Sequence, residues 1–258
     1  MTFSTWIDAE TNSGVGVAFT DRFGGHSLAP YDSWNLGRRG LDDQVDDNFA
    51  LLKSAVRCDQ IAISAQVHGT HVERVDSRYP FLGTSTGSDP EADALITRDL
   101  GVALVTRVAD CVPVLLADPR AGVIGAAHAG RVGLLAGVIQ ETVRAMRAHG
   151  AQSIQAWIGP HICVSCYEVP AAMANHAWEI LPATRGVSRQ GSKAIDLGEG
   201  AVSILEAEHV SVTRCDPCTA CDPRFFSHRR DHGKTGRQAG VIWRDIRVLP
   251  GSPSEDAQ

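Results

Sequence analysis

The run Thr106-Arg107-Val108-Ala109-Asp110-Cys111-Val112-Pro113-Val114-Leu115-Leu116-Ala117-Asp118 decides how this chain is read. It is an apolar, strand-like stretch with an acid and a thiol at its centre. Preceded by Val102-Ala103-Leu104-Val105, it reads as a strand buried on both faces, where a charged Asp110 is costly unless paired or turned into a cleft. The next apolar run, Val123 to Ala127, delivers His128 and then Ala129-Gly130, small residues that allow close approach of backbone or ligand. An earlier run, Ile61 to Val67, ends likewise in His68-Gly69. Three strand-like runs thus carry His68, Cys111 and His128 at or near their ends. One thiolate and two imidazoles can hold a zinc ion and leave a position open. The same donors suit copper, and Cys111 can alternatively serve as a nucleophile with His128 as its base. Each of the three also reads, taken singly, as an ordinary buried side chain.

Working outward, Gly14 to Thr20 reads as a strand, and the glycine-containing turn after it exposes Arg22, either a solvated charge or a contact for an anionic substrate. Ser33 to Gly40, including Asn35, is loop-like. Asp43 to Val56 has acids at its front and an apolar face of Phe49, Leu52 and Val56, which predicts a helix. Ser77 to Glu91 is rich in Pro, Gly, Ser and Thr and reads as an exposed loop able to act as a flap. Short turns such as Asp118 to Gly122 favour antiparallel neighbours, so a mixed sheet is expected. The spacing of Leu134, Leu135, Val138, Ile139, Val143 and Met146 predicts one helix from about Gly133 to His149. Its positive end would point at whatever binds near His128. Further helices are expected near Ala171 to Ile180 and Leu197 to His209.

A chain of 258 residues with 43% apolar and 21% charged residues has material for one globular core, and the polar stretch 251–258 reads as a tail on a single domain spanning 1–250. The net charge of −6 argues against a nucleic-acid partner, since polyanions require a basic footprint. No run reaches the roughly 18 apolar residues of a membrane span, and the start lacks a signal-peptide pattern, so a cytoplasmic protein without a membrane partner is expected. The seven cysteines then read as thiols or ligands. Cys215, Cys218 and Cys221 make two C-x-x-C steps sharing Cys218, with only three thiols and no local fourth ligand beyond His228 or His232. Cys163 and Cys166 make a further C-x-x-C without thioredoxin-like surroundings. The stretch holding Arg229, Arg230, Lys234 and Arg237 has the ingredients of a phosphate-binding loop without the P-loop pattern.

Taken together, Gln66-Val67-His68-Gly69-Thr70, Ala92-Asp93-Ala94-Leu95-Ile96-Thr97, Ala109 to Val114, Ala127 to Gly130, Cys166-Tyr167-Glu168-Val169 and Cys218 to Ser227 resemble the YfiH family, long labelled multicopper polyphenol oxidases or laccase-domain proteins. The resemblance implies an α+β fold, a mixed-sheet α/β sandwich shared with toxin deamidases that use a Cys–His pair. It implies phosphorolysis of purine nucleosides (adenosine, inosine, guanosine or methylthioadenosine), with adenosine deamination as a second activity. His68, Cys111 and His128 fall on the family's zinc ligands. The expected site adds Asp110 as a catalytic acid or base, and Arg22, Asn35, Gln66, Asp93 and Arg230 as contacts to the nucleoside and phosphate. A monomer or homodimer is expected. A cysteine or zinc amidohydrolase acting on serine-containing peptidoglycan precursors is the alternative, and a copper oxidase the third reading. Four copper ions need many more paired histidines than the ten scattered here. Two departures stand out: Arg131-Val132-Gly133 where the family has Trp-Arg-Gly, and Ser165-Cys166 where adjacent cysteines are usual.

Overall fold

A computed structural model describes residues 2–37, 42–80, 89–245 and 247. The chain runs β1 (Phe3–Ile7), β2 (Val15–Thr20), α1 (Val45–Val56), β3 (Gln60–Ala62), β4 (Val72–Arg74), β5 (Ala94–Thr97), β6 (Val102–Val108), β7 (Val112–Asp118) and β8 (Val123–Ala129). There follow α2 (Arg131–Ala136), α3 (Val138–Ala148), β9 (Gln155–Ile158), α4 (Ala171–Ile180), β10 (Arg185–Val187), β11 (Lys193–Ile195), α5 (Leu197–Ala207), β12 (Ser211–Arg214) and β13 (Gln238–Arg244). Two mixed sheets carry the architecture, one ordered β1-β2-β13-β6-β3 and the other β12-β9-β7-β8-β5-β4. A small β10-β11 ribbon stands apart from them.

The sheets pack face to face. Val17, Phe19, Leu104 and Ile242 of the first meet Leu95, Leu115, Ile124, Ala126 and Trp157 of the second in one buried cluster. The opposite face of the second sheet, with Val112, Val114 and Leu116, packs on Val138, Ile139, Val143 and Met146 of α3 and on α5. Phe49, Leu52 and Val56 of α1 cover the outer face of the first sheet against Val105, Val241 and Trp243. A helix, two sheets and a helical layer are therefore stacked in that order. Strands covered on both faces need apolar residues at successive positions, and this is why β7 is buried throughout. Burying a side chain such as Leu115 contributes roughly 1.5–3 kcal/mol each.

The decisive run is not one strand. β6 belongs to the first sheet and β7 to the second, and Ala109-Asp110-Cys111 is the step between them. Asp110 takes φ 92°, a region open to few residues other than glycine, asparagine and aspartate. The single helix expected from Gly133 to His149 is likewise two, starting at Arg131 and broken at Gly137, whose φ is 102°. The strand expected over Ile61 to Val67 stops at Ala62, because Ala65 turns to donate its backbone N–H to Pro90. The expected antiparallel neighbours occur at β7–β8, while the β5–β6 and β6–β7 turns pass between sheets. Part of the expected flap (81–88) and the polar tail (251–258) lie outside the described residues. Among the described residues no helix is long and apolar enough to cross a membrane.

Candidate active site and metal centre

The crossing point of the two sheets brings His68, Cys111 and His128 together. One ligand atom from each lies within 4.8 Å of the others. Cys111 Sγ is 3.8 Å from His68 Nε2, and the two imidazole rings meet edge to face with centroids 4.8 Å apart. His128 is buried, Cys111 half-buried and His68 exposed, so the cluster faces outward from the core.

Asp93 organises it. Its Oδ1 accepts from His128 Nδ1 at 2.8 Å and from the His68 backbone N–H at 2.9 Å, while its Oδ2 accepts from the N–H groups of Val67 (3.1 Å) and Gly69 (2.6 Å). Burial opposes the carboxylate's ionisation, yet His128 and these amides outweigh it and hold Asp93 below the usual carboxylate range. The three amides also fix the turn in which His68 adopts φ 62°. With Nδ1 of His128 engaged, its Nε2 is left for a ligand, the arrangement by which a carboxylate orients a metal-binding imidazole.

Gly130 completes the cradle. A Cβ there would lie 2.5 Å from His68 Cδ2 and 3.0 Å from Cys111 Sγ, so only glycine leaves both side chains in place. Burial disfavours the Cys111 thiolate, but the neighbouring His128 and His68 imidazoles outweigh it and bring the thiol down to about 6. Burial similarly works against a charged His128, and Cys111 and Asp93 outweigh it and raise His128 to about 9. A soft sulfur, two imidazoles, a carboxylate behind one of them and a glycine-lined gap form a donor set that fits a zinc ion, and copper is compatible with the same atoms.

Asp110 sits beside this cluster with both oxygens employed. Oδ1 accepts from Thr219 Oγ1 at 2.7 Å and Oδ2 from the Arg229 N–H at 2.7 Å. The carboxylate thus ties the β6–β7 step, next to Cys111 in the chain, to the loop before β13. The other expected contacts are similarly engaged. Gln66 donates Nε2–H to the Arg107 carbonyl and accepts the Arg107 N–H, acting as an extra rung on β6. Asn35 Oδ1 accepts from the N–H groups of Gly37 and Arg237. Arg22 donates to Asp32 and stacks its guanidinium 4.6 Å over the Phe226 ring. Arg230 spends its guanidinium on Asp231 and on the Thr219, Asp222 and Phe225 carbonyls. The helix end expected to face the site belongs to the six-residue α2, and its Gly133 is packed so closely on the Gly69 carbonyl that a Cβ would come within 2.8 Å.

Tyr167, Arg131, Arg229 and Arg237 lie within electrostatic reach of Cys111 or of one another. Burial raises the Tyr167 phenol, and Arg131, Cys111 and Arg229 all act on it electrostatically. Arg229 stacks 5.1 Å over the Tyr167 ring and donates Nη1–H to the Glu168 carbonyl at 2.7 Å. Burial lowers Arg237, which the charges of Cys111 and Asp110 favour in its protonated form. A cavity of ≈390 Å³ opens beside Glu168, Cys166 and Arg229, and none of the three candidate ligands lines it. Arg229 and Arg237 were visible in the sequence only as members of a basic stretch; Tyr167 carried no signal beyond its motif.

This two-sheet sandwich, with a Cys/His2 cluster where the chain changes sheets, defines the class. The chain belongs to the family described as multi-copper polyphenol oxidoreductase laccase, the YfiH family, whose pattern matches residues 16–245. Among its relatives is a purine nucleoside phosphorylase of Streptomyces coelicolor, 41% identical over 243 residues that cover 92% of this chain and 98% of that protein. Another purine nucleoside phosphorylase, from Deinococcus radiodurans, is 39% identical over 236 residues, 90% of each chain. The crystal structure of Neisseria meningitidis protein NMB0706 superposes with a TM-score of 0.81 at 32% identity, covering 95% of this chain and all of that one. That of YlmD from Geobacillus stearothermophilus does so with a TM-score of 0.80 at 31% identity, covering 93% and 96%.

Proposed function

We propose that the chain is a zinc-dependent purine nucleoside phosphorylase acting on adenosine, inosine, guanosine or methylthioadenosine, with adenosine deamination as a second activity. The observation that carries this reading is the convergence of His68, Cys111 and His128 within 4.8 Å, with His128 oriented by Asp93. The name borne by relatives about 40% identical supplies the substrate class. Three protein ligands and an open position are the ligand count of a catalytic zinc. A zinc ion held there supplies Lewis acidity to an oxygen or nitrogen of the bound substrate.

The chain's own residues do the rest. Asp93 holds the proton on His128 Nδ1 and so keeps Nε2 as the ligand atom. Arg229 and Arg131, gathered at Tyr167, offer planar guanidinium groups for the oxygens of phosphate. Tyr167 stays protonated and can donate its O–H to the purine or the ribose. In phosphorolysis an oxygen of hydrogen phosphate attacks the anomeric carbon, the bond to the purine nitrogen breaks, and the purine leaves with the proton that the phosphate gives up, so that the products are the free purine and the sugar 1-phosphate. Incubating metal-defined protein with adenosine, with and without phosphate, and resolving adenine, inosine and hypoxanthine tests this. Adenine formed only with phosphate is expected, together with inosine that accumulates without phosphate and is carried on to hypoxanthine with it. A zinc-loaded protein that turns over no nucleoside overturns the reading.

A cysteine amidohydrolase acting on serine-containing peptidoglycan precursors is the second reading, favoured by the 3.8 Å separation of Cys111 Sγ and His68 Nε2. It predicts activity on the precursor in metal-free protein and its loss on thiol alkylation. Retention of phosphorolysis only with metal excludes it as the main activity.

A further inference from the structure

Around Thr219, which holds Asp110, four cysteines from two distant parts of the chain converge: Cys163 and Cys166, which follow β9, and Cys218 and Cys221, which follow β12. Their four sulfurs lie within 4.8 Å of one another, and Cys166 Sγ is 3.3 Å from Cys221 Sγ. All four are free thiols. Each pair is a C-x-x-C step, and each step is wound into a tight turn, the first closed by the Cys166 N–H on the Cys163 carbonyl and the second by the Asp222 N–H on the Cys218 carbonyl. The two turns are fastened to each other by a bridge between His161 and Cys218 and by the Thr219 N–H on the His161 carbonyl.

We propose that Cys163, Cys166, Cys218 and Cys221 form a second, structural metal site that binds one zinc ion through four thiolates. A tetrahedron with metal–sulfur bonds of about 2.3 Å has sulfur–sulfur edges of about 3.8 Å, and the spread of the four sulfurs brackets that value. A closed set of four protein sulfurs is the ligand count of a structural site, in contrast to the three ligands and open position at Cys111. The surroundings fit an anionic thiolate cluster. Arg189 directs Nη2–H to Cys221 Sγ at 3.3 Å and to Cys166 Sγ at 3.7 Å, and the Cys163 N–H points to Cys218 Sγ at 3.3 Å. Binding forms four metal–sulfur bonds and releases the thiol protons to solvent. Tetrahedral all-sulfur sites take zinc or iron, and zinc requires no redox partner here. Cys215, the third member of the sequence cluster, is outside the site and packs at the edge of the core between the sheets.

The site's consequence is mechanical. Thr219, which holds Asp110, lies between Cys218 and Cys221, and the Thr219 and Asp222 carbonyls hold Arg230. Zinc at this position pins the loop that positions the residue next to Cys111.

The deciding experiment is metal analysis and X-ray absorption on the full-length Cys111→Ala/His128→Ala variant, in which the first cluster is dismantled and the four cysteines are intact. One zinc per chain with four sulfur neighbours at about 2.3 Å is expected. A zinc-free chain under zinc-replete purification, a shell containing nitrogen or oxygen ligands, or a lower intact mass from disulfide bonds would overturn the proposal. Replacing both Cys166 and Cys221 by serine in the otherwise unaltered chain should remove one zinc equivalent. Zinc content unchanged in that variant would also overturn it. Neither result depends on whether the Cys111 cluster turns over nucleosides.

Discussion

Asp93 Oδ1 stands 2.8 Å from His128 Nδ1, with the carboxylate wholly buried and the imidazole nearly so. Asp93 thus stands behind His128, one of the candidate metal ligands, and links the turn that presents His68 to the strand that presents His128. Replacing Asp93 by asparagine removes the charge and turns an amide N–H₂ toward backbone N–H groups that need an acceptor. Zinc affinity measured by chelator competition should fall roughly 10–100-fold. Phosphorolysis should fall with it. Unchanged affinity would mean that Asp93 serves the turn alone.

Gly130→Ala is the steric counterpart. The backbone there, φ −73°, accepts alanine, so any effect comes from the added methyl against His68 and Cys111. The variant should fold with a near-native melting temperature and lose at least about tenfold in nucleoside turnover, as a misplaced catalytic group does. Full activity would show that the two side chains have room to yield.

Arg229→Ala tests phosphate recognition apart from metal binding. The backbone N–H on Asp110 remains, while the guanidinium over Tyr167 is lost. A charge-assisted hydrogen bond is worth roughly 1.5–3 kcal/mol, so KM for phosphate should rise about tenfold or more at constant zinc content. A change in KM for the nucleoside alone would assign Arg229 to the other substrate.

How far the sequence could be read follows from the range of the interactions. Helices α1, α4 and α5 and strand β2 were legible because their apolar spacing is local. The placement of His68, Cys111 and His128 near strand ends was legible for the same reason. The break at Asp110 was not, because strands buried on both faces in either sheet look alike, and the partners that settle Asp110 are 109 and 119 positions away. Gln66 looked available for substrate, yet its amide meets the backbone of Arg107, 41 positions on. The four-cysteine cluster was half visible: both C-x-x-C steps stood in the sequence, but 55 residues separate the paired cysteines, and nearby Cys215 offered itself as the third ligand.

Acid sensitivity should trace in part to Asp118, at the end of β7. Burial raises its pKa, but the N–H groups of Ala121, Gln152 and Ser153 that it accepts outweigh this and hold it below the usual carboxylate range. A depressed folded-state pKa gives stability that is complete above the ordinary carboxylate pKa and disappears as pH falls through the folded value. Asp118→Asn should therefore cost about 2 kcal/mol in denaturant melts at pH 7. The difference from the parent chain should narrow as the pH is taken below about 4. A deficit independent of pH would place the cost in packing.

The most direct test of the central claim is turnover of adenosine with phosphate by metal-stripped protein, before and after zinc is restored, beside the Cys111→Ala variant. Stripped protein should release no adenine, zinc should restore release, and Cys111→Ala should stay inactive with zinc present. Adenine release by metal-free protein at the full rate, or by Cys111→Ala, would contradict the account.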